Sequence, residues 1–218
     1  MPRAILFVNG DLPDLTAARS LLRAGDIFIA ADGGTHHADA LGAALQVLIG
    51  DLDSVTAEDV SRYAEKGVKI LRFPPAKDET DLELALQYAI GQGYAPILLL
   101  GALGGRLDQQ LGNLSLLADP ALRSIDIRLD DGLTEAFFIT ERAEIHGQPG
   151  DTVSLLPFGL PAEGIVTEAL AYPLRGETLH PHRTRGISNE MLSEKASVTF
   201  KGGLLLCIHI RKKPFGYG

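Results

Sequence analysis

The chain has 218 residues, 45% of them hydrophobic, and a formal charge of −8. These values fit a globular protein of one large domain or two modest ones and exclude wholesale disorder. The acidic balance, with Lys and Arg scattered along the sequence, excludes nucleic acid or an anionic membrane as the main partner.

Strand-like and helix-like segments alternate through the first part. Strands are expected at 4–8, 27–31, 47–49, 68–73 and 97–100, and helices at 15–24, near 36–41, near 57–66, at 82–91 and at about 107–118. Such a succession of βαβ units predicts a parallel, layered, Rossmann-like sheet. In the last helix Leu107, Leu111, Leu114 and Leu117 share one face, a stripe expected to pack against that sheet. Beyond about Ser124 helical periodicity fades, and short strands are read at 125–129, 136–139, 152–156, 196–200 and 204–210. They predict a mostly antiparallel β domain, so the chain is divided into domains 1–130 and 131–218, with Lys201-Gly202-Gly203 as a hairpin turn. The segment 173–191, crowded with Gly, Pro, His and Arg, is long for an idle loop and is a candidate for function. Arg211-Lys212-Lys213 reads as a solvated tail. Cys207, the single cysteine, sits in an apolar run and reads as a small buried hydrophobe in a reducing compartment. With no legible leader and no run near the roughly eighteen apolar residues of a membrane span, a soluble cytoplasmic protein is expected.

Four of the predicted strands lead into acidic clusters: Asp32-Gly33-Gly34, Gly50-Asp51-Leu52-Asp53-Ser54, Asp78-Glu79-Thr80-Asp81, and Gly104-Gly105-Arg106 with Asp108. If the strands are parallel, their carboxyl ends share the rim where open α/β sheets bind ligands. Crowded carboxylates take up protons unless a hard cation keeps them ionised, and Mg²⁺ carrying a polyphosphate suits such a site. Asp51 and Asp53, two apart, can point the same way in an extended continuation of their strand. A plain turn and N-cap explain that pair equally well, and Thr56 to Asp59 resembles a capping box. Thr80-Asp81-Leu82-Glu83 is another capping box, and a capped helix start also favours a phosphate. Gly104 and Gly105 let backbone amides approach an anion, and Arg106 offers a planar fork to phosphate oxygens. The histidines lack zinc spacing, and His36, His37, His180 and His182 read as surface or loop residues. No P-loop occurs, nor a GxGxxG fingerprint after the first strand; no Gly-x-Ser-x-Gly elbow occurs and no Ser or Cys has an obvious His in support, which disfavours covalent nucleophilic catalysis and leaves metal-assisted transfer.

In order along the chain, Ala31-Asp32-Gly33-Gly34, Gly50-Asp51-Leu52-Asp53-Ser54, Lys77-Asp78-Glu79-Thr80-Asp81-Leu82-Glu83 and Gly104-Gly105-Arg106-Leu107-Asp108-Gln109 resemble the motifs of thiamine pyrophosphokinase. Tyr172-Pro173-Leu174 and Gly186-Ile187-Ser188-Asn189-Glu190 resemble that family's thiamine-side segment. The resemblance implies an α/β domain, a C-terminal β-sandwich, and a homodimer with its active sites between subunits. The implied reaction converts thiamine and ATP to thiamine diphosphate and AMP. By motif position Asp51, Asp53 and Asp81 would hold Mg²⁺. Asp32, Gly33, Gly34, Asp78, Thr80, Gly104 and Gly105 would meet the nucleotide, and Lys77, Tyr172, Ser188 and Asn189 the thiamine. Arg106 would neutralise charge during transfer, and either Asp108 or Asp81 would accept the hydroxyl proton. Two departures stand out: Ala169-Leu170-Ala171 where a glycine is expected, and His180-Pro181-His182 in place of a glycine-containing turn. The alternatives are a pyrophosphokinase for another alcohol such as a hydroxymethylpterin, a nonenzymatic regulator binding Mg-nucleotide or thiamine, and an ordinary γ-phosphoryl kinase releasing ADP.

Overall fold

The computed structural model describes residues 1–212. The chain divides into two units, residues 1–117 with 124–131, and residues 118–123 with 132 onward.

In the first unit, strands β1 (Ala4–Phe7), β2 (Ile27–Ala31), β3 (Val47–Gly50), β4 (Lys69–Arg72), β5 (Ile97–Leu100) and β6 (Ile127–Asp130) alternate with helices α1 (Leu15–Ser20), α2 (Thr35–Leu41), α3 (Ala57–Glu65), α4 (Asp81–Gly91) and α5 (Leu107–Leu117). The strands lie in the order β6-β5-β1-β2-β3-β4, and each neighbouring pair is parallel. Phe7 is level with Ala30 and Leu100, and Gly50 with Arg72, so the carboxyl ends form one rim. The chain runs from β1 outward to β4 and then returns to β5 on the other side of β1. The strand order therefore reverses between β1 and β5, the place at the rim where open α/β sheets form a crevice.

Both sheet faces are covered, as a parallel sheet requires. On one face Ile5, Phe7, Ala30, Leu48, Leu98 and Leu100 pack with Ala18, Ala38, Leu41 and Tyr63 from α1, α2 and α3. On the other, α4 buries Leu82, Ala85, Leu86 and Ala89 at helical spacing and lies against β1, β2 and β3. Asp14, Thr56 and Thr80 cap α1, α3 and α4 through their side chains. In α5 the expected leucine stripe is only half used. Leu117 is buried, whereas Leu107 and Leu111 are 69% and 55% exposed, because the first turns of the helix stand at the rim and not over the sheet. Helix α1 ends at Ser20, short of the expected 24.

The second unit is a β-sandwich. Strands β7 (Thr134–Ile139), β8 (Arg142–His146), β9 (Thr152–Pro157), β10 (Ala162–Glu168), β11 (Arg175–Leu179), β12 (Asn189–Glu190), β13 (Lys195–Thr199) and β14 (Leu205–Ile210) form two antiparallel layers, β12-β9-β14-β7 and β11-β10-β13-β8. Phe137, Val153, Leu155, Leu205 and the buried Cys207 of one layer meet Ile145, Ile165, Leu179 and Val198 of the other. Alternate burial along β13 shows one face inward, as two packed sheets demand.

Several local expectations are corrected here. Lys201-Gly202-Gly203 is not a hairpin turn, because β13 pairs with β8 and β10 while β14 pairs with β7 and β9. The turn carries the chain from one layer to the other. The segment 173–191 is not structureless, since it contains β11 and β12. Strands β8 and β10 escaped the sequence reading: β10 carries register shifts that break its alternation, and β8 turns only Ile145 fully inward. Arg211 is no solvated tail residue, for it ion-pairs with Glu135 at 3.5 Å, and the Lys212 amide donates to Asp151. Lys213 lies outside the described residues. Among the described residues no helix is long and apolar enough to cross a membrane.

Ala169 has a φ of +57°, where the expected glycine would be at ease. The left-handed region costs a non-glycine residue about 1–2 kcal/mol, roughly twice the entropy a glycine adds to the unfolded chain. Ala169→Gly is therefore expected to raise the urea midpoint of unfolding, the reverse of an ordinary Ala→Gly change.

Candidate active site

A cleft of about 480 Å³ opens at the rim of the first unit. Its walls include Asn9, Gly10 and Asp11 after β1, Asp32 after β2, Asp51, Asp53 and Ser54 after β3, Lys77 to Asp81 before α4 apart from Asp78, and Gly101 to Arg106 after β5 apart from Leu103. Most of the strand-end motifs thus meet in one hollow. Asp78 and Asp108 do not line it.

Asp32, Gly33 and Gly34 form a single 3-10 turn between β2 and α2. The turn fits tightly under the end of β1: a methyl group on Gly34 would lie 2.1 Å from the Phe7 carbonyl oxygen, so only glycine fits. Asp32 itself has a φ of +45°, and its Oδ1 is buried with no hydrogen-bond partner. Leu52 has a φ of +65°, and the Asp53 amide donates to Asp51 Oδ1 at 3.0 Å. The Asp51-Leu52-Asp53 segment is therefore a turn and not the extended continuation expected, yet its carboxylates still converge. Oxygens of Asp32, Asp51 and Asp53 lie within 4.8 Å of one another. This trio contains Asp32, expected on the nucleotide, where the sequence reading had Asp81.

Asp81 faces the same space but is tied to Lys77, whose Nζ is 2.9 Å from Asp81 Oδ1 and 3.7 Å from Asp51 Oδ2. Burial pushes the Asp81 carboxyl above its usual range, Lys77 pulls it back, and the charges of Asp51 and Asp32 raise it further. For Lys77, burial works against the ammonium, but the bonds to Asp81 and Asp51 prevail and its pKa rises. Lys77, expected on the thiamine, is thus a counter-ion inside the acidic cleft.

Arg106 and Asp108 form a two-pronged pair, Nη2 to Oδ2 at 2.6 Å and Nε to Oδ1 at 3.1 Å, fully in solvent. The hydrogen bond from Arg106 holds the Asp108 carboxyl below its usual range. Of the two candidate proton acceptors, Asp81 is thus the stronger base and lies in the cleft, and Asp108 is neither.

Sequence reading missed the supports of the β1 and β5 loops. Asn9, Gly10 and Asp11 are a polar strand end at the same rim as the four acidic clusters, and that position was the available signal. Asn113 Nδ2 donates to Ala102 O at 2.9 Å. His37, expected at the surface, is buried, and its Nε2 donates to Gly10 O at 2.7 Å. Burial, foremost, lowers its pKa, consistent with a neutral ring in a structural role.

A second hollow, about 560 Å³, lies within the β-sandwich unit and is lined by Leu155, residues 171–174 and residues 184–189. The two predicted thiamine-side segments are brought together there. The Ala171 amide donates to Glu190 O and the Leu192 amide to Ala169 O. Asn189 clasps the backbone of Tyr172, with Oδ1 accepting its N–H at 2.9 Å and Nδ2 donating to its carbonyl at 2.8 Å. Tyr172 is 73% exposed, so its ring lies outside the core. Ser188 has a φ of +58° and is held by a bond from its amide to Ser154 Oγ at 3.0 Å.

The family described as thiamin pyrophosphokinase, catalytic domain, matches residues 18–129, and the one described as thiamin pyrophosphokinase, vitamin B1 binding domain, matches residues 140–205. The chain belongs to the thiamine pyrophosphokinase family. It is 29% identical over 199 residues to the thiamine pyrophosphokinase of Bacillus subtilis, covering 90% of this chain and 92% of that one. It is also 29% identical over 233 residues to thiamine pyrophosphokinase 1 of Arabidopsis thaliana, covering 96% and 86%. The crystal structure of a B. subtilis thiamine pyrophosphokinase superposes with a TM-score of 0.85 at 27% identity over 98% of this chain and 100% of that one. The yeast thiamin pyrophosphokinase, at 17% identity and a TM-score of 0.75 over 96% and 86%, shares the fold. The protein is an ATP-dependent pyrophosphotransferase with thiamine as acceptor.

Asp81 offers a test of how the site is built. Its folded pKa lies above the unfolded one, so ionisation costs stability as pH rises through the carboxylate range. Asp81→Asn is expected to match or exceed the wild-type urea midpoint at neutral pH, while Lys77 keeps Asp51 as partner. That advantage should shrink toward about pH 4, where carboxyls protonate. A lower midpoint at neutral pH would show that the Lys77 pair outweighs burial.

Proposed function

We propose that the rim cleft of the first unit binds Mg-ATP and directs its β-phosphorus to the hydroxyethyl oxygen of thiamine, forming thiamine diphosphate and releasing AMP. The observation that carries this reading is the convergence of Asp32, Asp51 and Asp53 within 4.8 Å, together with the buried, unpartnered oxygen of Asp32. An all-carboxylate donor set with an unsatisfied oxygen suits a hard divalent cation. Mg²⁺ held there would offset the charge of both carboxylates and polyphosphate. Lys77, positioned between Asp51 and Asp81, would present its ammonium to the phosphates, and Arg106 would turn its fork from Asp108 to the phosphate oxygens as charge grows on them. Asp81, made more basic by burial, would take the hydroxyl proton. No side chain need form a covalent bond, so catalysis is positioning and electrostatics.

Thiamine would sit in the hollow of the β-sandwich unit, with the exposed ring of Tyr172 and the hydroxyl of Ser188 as its contacts. Asn189 has its amide engaged with Tyr172 and would shape that pocket rather than touch the ligand. We further propose a homodimer in which the sandwich of one subunit serves the cleft of its partner, with the exposed Leu107 and Leu111 beside Arg106 as an apolar rim for the contact. The cytoplasm, with its ATP and reducing conditions, suits the lone buried thiol of Cys207.

Incubation with Mg-ATP and thiamine should yield AMP and thiamine diphosphate in equal amounts; ADP, or no product, would reject the reading. Asp53→Asn should lower turnover about a hundredfold or more with an unchanged circular dichroism spectrum. Mixing it with an inactive variant of the sandwich pocket should restore part of the activity if sites are shared between subunits.

A further inference from the structure

Asp11 holds the position of an anionic ligand. The loop after β1 is fastened to the loop after β5 by backbone alone, with Gly10 N–H donating to Gly101 O at 2.7 Å and Asp11 N–H to Leu103 O at 3.1 Å. His37 secures Gly10 O from the other side at 2.7 Å. With the register thus fixed, the Asp11 side chain adds one further bond: its Oδ2 accepts from Gly105 N–H at 2.7 Å, across 94 residues of sequence. The side chain is lodged against the glycine turn, for a methyl group on Gly104 would lie 2.6 Å from Asp11 Cβ and 2.8 Å from Oδ2. Gly104 has a φ of +77°, so no other residue takes this place without strain. The Arg106 side chain is engaged as well, its Nε and Nη2 lying on Asp108. Of the donors this segment offers to anions, internal carboxylates occupy the Gly105 amide and the Nε and Nη2 of Arg106.

We propose that Asp11 sets the affinity of the cleft for the nucleotide, its carboxylate acting as an internal anion on the Gly105 amide that the polyphosphate of ATP must displace. The inference rests on reading the cleft as a polyphosphate site. A carboxylate bond to a backbone amide is charge-assisted, so a phosphate oxygen gains that amide only by releasing it. The released carboxylate then adds a like charge beside the ligand. Asp11 thereby sets the affinity of this loop for phosphate, whereas the loop's shape is held by the backbone bonds and by His37.

Asp11→Asn keeps an acceptor for Gly105 and removes the charge. It is expected to lower the KM for ATP about threefold to tenfold, with the effect concentrated in that constant rather than in kcat. Binding of inorganic tripolyphosphate with Mg²⁺, followed by calorimetry and independent of turnover, should tighten by a similar factor, and Asp11→Ala should tighten it as well. Unchanged or weaker tripolyphosphate binding in Asp11→Asn would overturn the proposal and leave Asp11 as a loop fastener. A wild-type protein that binds tripolyphosphate, with tighter binding in both variants, but forms no thiamine diphosphate would uphold the role of Asp11 and reject the assigned reaction. A wild-type protein that binds no tripolyphosphate would reject both.

Discussion

Mutual repulsion among carboxylates gathered at one sheet edge is the constraint on which the first unit is built. Asp32, Asp51, Asp53 and Asp81 all line a single cleft, and a buried oxygen of Asp32 makes no hydrogen bond. Water is the cheapest solvent for such groups, and the fold removes it from part of the cluster. Lys77 relieves the strain on Asp51 and Asp81 only. A cation held among these carboxylates, as proposed above, would offset that repulsion, so the same charge that weakens the fold would favour the ligand.

The rest of the unit keeps those groups from relaxing apart. Level strand ends fix the height of the rim, and α4 starts at the rim because Thr80 caps it there. The capping role and the site role of this segment coincide, since a helix start needs Thr80 and Glu83 while the cleft uses Asp81 one residue on. The Asp32 turn cannot shift toward β1, because Gly34 already touches the Phe7 carbonyl. Backbone and apolar packing thus hold the carboxylates together against their own charge.

The sequence discloses features whose cause is local and conceals those whose cause is distant. Strands β2, β3 and β5 were legible because each is a short apolar run leading into Asp or Gly, and the Thr56 and Thr80 caps were legible from spacing within a single turn. The convergence of Asp51 and Asp53 was legible in outcome but not in route, since nothing in Asp-Leu-Asp announces that Leu52 turns left-handed. Asp11, His37 and Asn113 act on partners 94, 27 and 11 residues away, and no period or motif marks such pairings. The Lys-Gly-Gly turn was misread because turn chemistry reports a reversal and not the layer into which the returning strand goes. Leu107 and Leu111 kept the helical spacing of a buried face, but spacing cannot say where along a helix the sheet stops.

Backbone strain follows the two hollows rather than the chain as a whole. Among the described residues the non-glycines with positive φ are Asp32, Leu52, Ala169 and Ser188. The first two shape the acidic rim, and the last two flank the pairing that brings Tyr172 beside Asn189. Each such residue costs about 1–3 kcal/mol and persists only where its surroundings leave no alternative. Those surroundings differ. Leu52 is buried and Asp32 is wedged by its glycines, Ala169 packs against the sandwich core and accepts from the Leu192 amide, and Ser188 is held by its amide bond to Ser154. Packing and polar bonds together thus hold both hollows, the rim through its glycine turn and the Lys77 pairs and the sandwich hollow through its core contacts and the Asn189 clasp.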